Sequence, residues 1–332
     1  MQNQSLLESG LASTWLEQFA AEDKAKAAYL VDTLELVSTE AMVREMRKLV
    51  NKIAVATDGP LGLYACRKLP KGVDTLFDLQ GEYLKDKASG HGSEDIVSNA
   101  ILQMVRLEEA ERQRGKKSRF FDHPSLAEIS KHRVRRLVVI NDLAGTGQQT
   151  VEFMRAMFNN KRLLACWSRS YFDLGFVAYA TTDAAFAAVR AALPGHAHPR
   201  RNRRIGRLIT KASRVMEFGR WAPGIPKDAL RELRDLCVKY AKQASLSLAL
   251  GYESSFLNLV FEHTAPNNLP GILRLKSRSW SPLFRARVVP DELVPCFREA
   301  QPEQAEKRAV ATLSARAAKA IETVTPLYGV WT

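Results

Sequence analysis

Residues 137–150, LVVINDLAGTGQQT, constrain the fold of this 332-residue chain more than any other stretch. The run from Leu137 to Ile140 is made of β-formers without polar alternation, which indicates a strand buried on both faces of a parallel sheet. Ligands of such sheets bind beyond the carboxyl ends of the strands, and this strand leads directly into Asn141 and Asp142. The segment therefore predicts an α/β fold with a ligand site at this strand end.

The turn after this strand is typical of a phosphate-binding loop. Its small residues allow successive backbone N–H groups to converge on an anion, and a helix predicted over 148–159 points its positive amino end at the same place. Thr146 adds a hydroxyl donor, while Asn141 and Asp142 are placed to hold the vicinal hydroxyls of a sugar. The predicted sugar-phosphate residues are Ala144, Gly145, Thr146, Gly147, Gln148, Gln149 and Thr150.

Two common nucleotide motifs do not fit this turn. No Gly-Lys-Ser/Thr follows at P-loop spacing, and the third glycine of a dinucleotide fingerprint is missing after Gly147. A buried strand and tight turn without any ligand is an alternative interpretation.

The order of residues in 137–150 resembles the phosphoribosyl-pyrophosphate (PRPP) signature of type I phosphoribosyltransferases, with hydrophobic residues, an acidic pair, an apolar residue and small residues around Thr-Gly. The resemblance implies that Asp142, with Asn141, binds the ribose hydroxyls and that residues 144–150 wrap the 5′-phosphate. It also implies that Mg²⁺ arrives with the substrate near Asp142, with no metal ligands supplied directly by the protein. Asn141 stands where an acidic residue is usual, which keeps a hydrogen-bonding group and loses a charge.

Further stretches extend the resemblance to most of the chain. Residues 15–38 and 257–287 look like a divergent bacterial group of phosphoribosyltransferase-like proteins encoded among antiviral conflict systems. Membership would imply a phage-defence or toxin effector that transfers a pentosyl group, acts on a nucleotide or nucleic acid, and works with a neutralising or sensor protein. Dimers are common among phosphoribosyltransferases, so a homodimer is also expected.

A second hypothesis keeps the fold without the chemistry. In that case the protein is a non-catalytic nucleotide-sensing or RNA/DNA-binding subunit, and Asn141 marks the lost activity. Sensitivity to Asp142→Ala favours a pocket activity, whereas a steep salt dependence favours nucleic-acid binding.

The chain is predicted to contain an N-terminal helical segment (1–50), a phosphoribosyltransferase-like α/β domain (51–290) and a C-terminal helix and tail (291–332). Predicted strands at 52–57, 137–140, 175–182 and 256–261 alternate with helices, which indicates a mostly parallel sheet. Within the α/β domain, the family pattern places a hood that closes over the sugar phosphate at 70–132, and a basic helical and loop insertion occupies 194–225.

Two further positions are candidates at the same sheet edge. Thr57, Asp58 and Gly59 follow the first predicted strand, where phosphoribosyltransferases carry the pyrophosphate loop, although this is also an ordinary turn. His263 follows the fourth predicted strand. Its imidazole could act there as a general acid, or it could recognise the base that lies near the sugar. It could equally cap the HTAPNNLP turn.

Charge favours an anionic partner. The chain has 49 Lys and Arg against 36 Asp and Glu, a net charge of +13. Residues 196–211 contain no acid, so this run suits RNA or DNA, although a solvated loop is the alternative. In another basic cluster, at 274–287, Trp280 and Phe284 could stack on bases. The predicted nucleic-acid residues are Arg200, Arg201, Arg203, Arg204, Arg207 and Lys211.

The remaining features predict a cytoplasmic protein with no membrane partner. No apolar run approaches the roughly 18 residues of a membrane span, and the start of the chain lacks the pattern of a secretory signal. The four cysteines are scattered without a CxxC pair, which predicts reduced thiols in the core.

Overall fold

A computed structural model describes residues 5–84, 93–111, 119–194, 209–215, 227–285 and 288–297, with the backbone alone for 209–215. The chain divides into two compact units. The sheet unit comprises 39–221 and 251–257, and the terminal unit comprises 1–38, 222–250 and 258–332.

Helices and strands alternate along most of the described chain. The helices are α1 Gly10–Leu16, α2 Ala21–Asp32, α3 Thr39–Val55, α4 Ser93–Glu111, α5 Leu126–Lys131, α6 Gln148–Phe158, α7 Lys161–Ser168, α8 Asp183–Ala192, α9 Lys227–Gln243 and α10 Gly271–Arg274. The strands are β1 Glu35–Val37, β2 Leu61–Ala65, β3 Phe120–Asp122, β4 Arg136–Ala144, β5 Asp173–Thr181, β6 Ile209–Val215 and β7 Leu259–Phe261. Short 3₁₀ turns lie at Leu6–Glu8, Tyr252–Ser254 and Asp291–Phe297.

The sheet unit is built on a five-stranded sheet in the order β3-β2-β4-β5-β6. Every neighbouring pair is parallel, so the carboxyl ends of all five strands lie at one edge. The predicted α/β fold with a mostly parallel sheet is therefore confirmed. The strands predicted at 137–140 and 175–182 correspond to β4 and β5, each nine residues long.

Both faces of this sheet are covered, which explains why its central strands are apolar without alternation. One face packs against α6, α7 and α8 through a core that contains Val139, Phe153 and Phe176. Helix α3 also packs against β5, and it buries Met42, Met46, Val50 and Ile53 at helical spacing.

The strand predicted at 52–57 is wrong, because these residues form the last turn of α3 and the turn that follows it. The helical spacing of the buried residues continues through Ile53. Thr57, Asp58 and Gly59 therefore precede β2, at the amino edge of the sheet. A Cβ at Gly59 would lie 2.4 Å from Cγ of Arg135, beside the start of β4. The pyrophosphate loop was predicted here because these residues were expected to follow a strand, and they follow a helix instead.

The terminal unit contains a separate two-stranded parallel sheet of β1 and β7. The strand predicted at 256–261 is only Leu259–Phe261 here, and it pairs with β1 instead of the five-stranded sheet. The prediction that His263 shares a sheet edge with Asp142 is therefore wrong.

Aromatic side chains hold the terminal unit together. Trp15, Phe19, Tyr240 and Trp280 meet at ring-centroid distances of 4.5 to 6.1 Å. Trp280 is buried and donates from Nε1 to the carbonyl oxygen of Ile272 at 2.7 Å. Phe284 is also buried. The prediction that Trp280 and Phe284 stack on bases is wrong, because both rings are buried within the protein.

Other predicted segments fall partly within the described chain. The compact units do not coincide with the boundaries at 50 and 290, because α3 packs on the five-stranded sheet. In the predicted hood, β3 is an edge strand and α4 packs against β2. The predicted basic insertion contains β6, in which Lys211 pairs with Phe176. Arg200, Arg201, Arg203, Arg204, Arg207 and the helix predicted in the tail lie outside the described residues.

Within the described ranges, no helix combines the length and apolar character needed to cross a membrane.

Candidate functional site

Three neighbouring strands deliver the candidate residues to one edge of the sheet. Strand β4 lies between β2 and β5. Just beyond β2, the Cys66 N–H donates to the Ile140 carbonyl oxygen at 2.7 Å, and just beyond β5, the Thr182 N–H donates to that of Ala144 at 3.3 Å. Strands β4 and β5 therefore end side by side, whereas β2 ends beside Ile140, within β4. All three strands leave the sheet at its carboxyl edge, which is where ligands of parallel sheets bind.

The loop between β4 and α6 is held close to the start of α8. Gly147 has a φ of +78°, and a Cβ there would lie 2.8 Å from the Ala185 carbonyl oxygen. The Thr182 hydroxyl donates to the Gly145 carbonyl oxygen at 2.7 Å and accepts from the Ala185 N–H at 3.0 Å. The loop thus has one fixed path.

Helix α6 begins at Gln148, as predicted, and continues to Phe158. Its first N–H groups have no acceptor within the helix, and they carry the positive end of the helix dipole. The Gln148 N–H contacts the Thr146 hydroxyl oxygen at 3.4 Å. Tyr252 reaches the same helix start from the segment 251–257 and donates to Gln148 Oε1 at 3.2 Å. The predicted phosphate loop and the amino end of α6 therefore lie together beyond the carboxyl end of β4.

The structure separates Asn141 from Asp142. Both lie within β4, where successive side chains point to opposite faces. Asn141 is directed to the α6 face, since its Nδ2 donates to the Thr150 hydroxyl oxygen at 3.3 Å. Asp142 is 7% exposed, and its Oδ1 accepts from the Leu143 N–H at 2.7 Å. Of the predicted pair, Asp142 is the residue turned away from α6.

Negative charge gathers where β2 ends. Burial raises the pKa of the Cys66 thiol to about 12, a hydrogen bond to Thr150 lowers it, and the charges of Asp142 and Glu94 raise it. Glu94 Oε1 also accepts from the Lys68 N–H at 3.3 Å. Two carboxylates, on β4 and at the start of α4, therefore act on the first residue after β2.

The loop after β2 was missed by the sequence analysis. It contains Arg67, Lys68 and Lys71 at the carboxyl edge next to β4. Arg67 donates from Nη2 to the Leu84 carbonyl oxygen, and its guanidinium lies 5.2 Å from the centre of the Tyr83 ring. The sequence feature that could have revealed this loop is the apolar run LGLYA, followed directly by Cys-Arg-Lys.

Comparison with protein families identifies the architecture. A family model described as PRTase-CE matches residues 12–286, which is most of the chain. The protein belongs to the PRTase-CE family. The family match confirms the resemblance to phosphoribosyltransferases and spans every element of the candidate site. No curated protein and no solved structure matches the chain.

One more polar residue of this PRTase-CE protein lies at the same edge. His123 follows β3, has a φ of +44°, and accepts from the Ala65 N–H at its Nε2 at 2.9 Å. That bond leaves the proton on Nδ1, which donates to Asp122 Oδ1 at 2.5 Å. The Nε2 bond therefore holds the end of β2 to the end of β3, and the Nδ1 bond fixes the imidazole against the last residue of β3.

Proposed function

We propose that this PRTase-CE protein binds PRPP, or a closely related sugar phosphate, and transfers its phosphoribosyl group to an acceptor. The observation that carries the proposal is the arrangement at the carboxyl end of β4. The Asp142 carboxylate and the loop that starts the 11-residue helix α6 are held at one sheet edge. A carboxylate suits ribose hydroxyls, and a helix start suits a phosphate.

The proposed ligand contacts follow from this arrangement. Asp142 accepts hydrogen bonds from the two ribose hydroxyls, and the loop amides of residues 145–147 with the start of α6 bind the 5′-phosphate. The loop after β2 takes the pyrophosphate, because it leaves the neighbouring strand and carries Arg67, Lys68 and Lys71.

The proposed reaction is a displacement at the anomeric carbon of the sugar. The bond from this carbon to pyrophosphate breaks, the electron pair leaves with pyrophosphate, and an acceptor nucleophile forms the new bond and loses its proton. The protein contributes position and charge, since Asp142 fixes the ribose and the basic loop stabilises the departing anion.

Magnesium ion is proposed to arrive with the substrate. The carboxylates of Asp142 and Glu94 both act on Cys66, and carboxylate oxygens combined with substrate phosphates suit Mg²⁺. When bound, Mg²⁺ neutralises part of the pyrophosphate charge.

Calorimetric titration of the full-length protein with PRPP and MgCl₂ tests this function. We expect saturable binding, with a Kd on the order of 1 μM to 1 mM, because the site offers separate contacts to three parts of the ligand. Ribose 5-phosphate and pyrophosphate alone should each bind more weakly than PRPP. The proposal fails if PRPP produces neither binding heat nor thermal stabilisation.

A nucleic-acid acceptor is favoured by the acid-free basic run at 196–211. If single-stranded RNA binds this run, its affinity should fall about 100-fold or more between 50 and 200 mM salt, because several phosphates release counterions. Replacing Arg200, Arg201, Arg203 and Arg204 with alanine should weaken binding and flatten this dependence. The matched control replaces Arg44, Lys48, Lys52 and Lys131, which removes the same charge elsewhere. Equal loss in both variants would contradict a specific role for the run.

The role in phage defence, with its neutralising or sensor partner, stays a prediction from the resemblance.

A further inference from the structure

Three buried polar side chains join the segments that form the site. Cys66, Asn141 and Thr150 are at most 5% exposed. Thr150 lies in the first turn of α6, Asn141 lies in β4, and Cys66 is the first residue after β2. We propose that Asn141 is a positioning residue, which holds the phosphate loop and the loop after β2 in register through Thr150. This inference rests on the proposed function.

The Thr150 hydroxyl oxygen is the centre of the network. It accepts from Asn141 Nδ2 at 3.3 Å and from the Cys66 thiol at a sulfur–oxygen distance of 3.7 Å. One buried oxygen thus fixes α6 to β4, three residues before that strand ends, and to the first residue after β2. Removing a buried donor or acceptor leaves its partner unsatisfied, which destabilises the arrangement that the pair holds.

The network also explains why an amide serves where the family pattern has an acid. An amide donates to Thr150, whereas an ionised carboxylate can only accept. A charged side chain at position 141 would also be buried, and it would lie next to Asp142 in the chain. Asp142 and Glu94 already raise the pKa of the nearby Cys66 thiol, so a further negative charge here is unfavourable. Because Asn141 faces α6, it does not need to be acidic to serve a ribose that is bound through Asp142.

Asn141→Asp tests the inference through its pH dependence. Burial and negative neighbours raise the pKa of the new carboxyl above its ordinary value. Below that pKa the protonated carboxyl donates to Thr150 as the amide does. Above that pKa the carboxylate can no longer donate to Thr150, so the Thr150 hydroxyl has to turn and donate instead, and the buried charge repels Asp142.

We expect PRPP affinity within about 2-fold of wild type at about pH 5.5 and at least about 10-fold weaker at about pH 8.5. Each affinity is expressed relative to wild type at the same pH, which cancels the titration of the ligand. Asn51→Asp, on the exposed surface of α3, is the matched control and should keep a constant ratio. Tighter binding by Asn141→Asp at high pH would make residue 141 a second ribose carboxylate and would overturn the inference.

If Asn141→Asp does not fold, a second pair of variants still tests the inference. Thr150→Val removes the shared acceptor with little change in shape, and it should weaken PRPP binding about 10-fold. Thr150→Ser keeps the hydroxyl and should bind nearly as wild type does. Equal binding by both variants would overturn the inference.

A ligand-independent measurement separates this inference from the proposed function. Hydrogen exchange of the peptide that covers residues 145–152 should be faster in Asn141→Asp than in wild type at about pH 8.5, with the two nearly equal at about pH 5.5. If wild type does not bind PRPP, the proposed function fails while hydrogen exchange still decides the network. If the exchange ratio does not change with pH, the network fails even where PRPP binds.

Discussion

Asp142→Ala is expected to weaken PRPP binding by at least about 100-fold. A carboxylate that accepts from two ribose hydroxyls makes two charge-assisted hydrogen bonds, each contributing about 1.5–3 kcal/mol. Their combined loss corresponds to a factor of roughly 10² to 10⁴ in Kd. Calorimetry with PRPP and MgCl₂ measures this change in Kd directly. The Kd of Asp142→Asn should lie between those of wild type and Asp142→Ala, because the amide keeps one acceptor.

The control for this experiment is Asp173→Ala. Asp173 starts β5 at the amino edge of the sheet, where its Oδ2 lies 3.3 Å from Arg136 Nη2. Its loss should lower the melting temperature slightly and leave PRPP affinity unchanged, because the ion pair is remote from the carboxyl edge. Wild-type affinity in Asp142→Ala would remove the carboxylate from the ribose site, and a similar loss in Asp173→Ala would indicate a general effect on the sheet.

The strand, loop and helix around Asp142 were predictable because their signals are local. Four β-formers, a run of small residues and helical periodicity occur within one short segment, and each specifies its own conformation. The structure extends the strand to Ala144, four residues beyond the predicted end. That extension places Asn141 and Asp142 under strand alternation, which a loop at these positions does not impose.

The partners of β4 were not predictable in the same way. The segment KIAVAT has strand composition, but its apolar residues also continue the periodicity of α3, and packing on the sheet decides for the helix. The true neighbour, β2, is short and contains Gly62. Strand β7 pairs with β1, more than 200 residues earlier, and no local pattern encodes such a pairing. The prediction for His263 failed because the pairing of β7 is not local, and the prediction for the pyrophosphate loop failed because KIAVAT belongs to α3.

Gly147→Ala is expected to have the largest effect on stability among the loop variants. The residue has a φ of +78°, and the new Cβ would lie 2.8 Å from the oxygen and 3.0 Å from the Cα of Ala185. Both atoms belong to the backbone of α8, so no side-chain rotation relieves the contact. The left-handed conformation costs about 1–2 kcal/mol and overpacking about 1–3 kcal/mol, so we expect a loss of roughly 2–5 kcal/mol in the free energy of unfolding.

Gly72→Ala separates the two causes of this loss. Gly72 has a nearly identical φ of +83°, but a Cβ there meets nothing within 4 Å, so this variant incurs only the backbone cost. Urea unfolding should therefore rank wild type above Gly72→Ala, and Gly72→Ala above Gly147→Ala. Gly147→Ala should also lose PRPP affinity by about 10-fold or more, since relief of the clash moves the amides that bind the 5′-phosphate away from their positions. If the two alanine variants are equally stable, the close approach to α8 does not fix this loop.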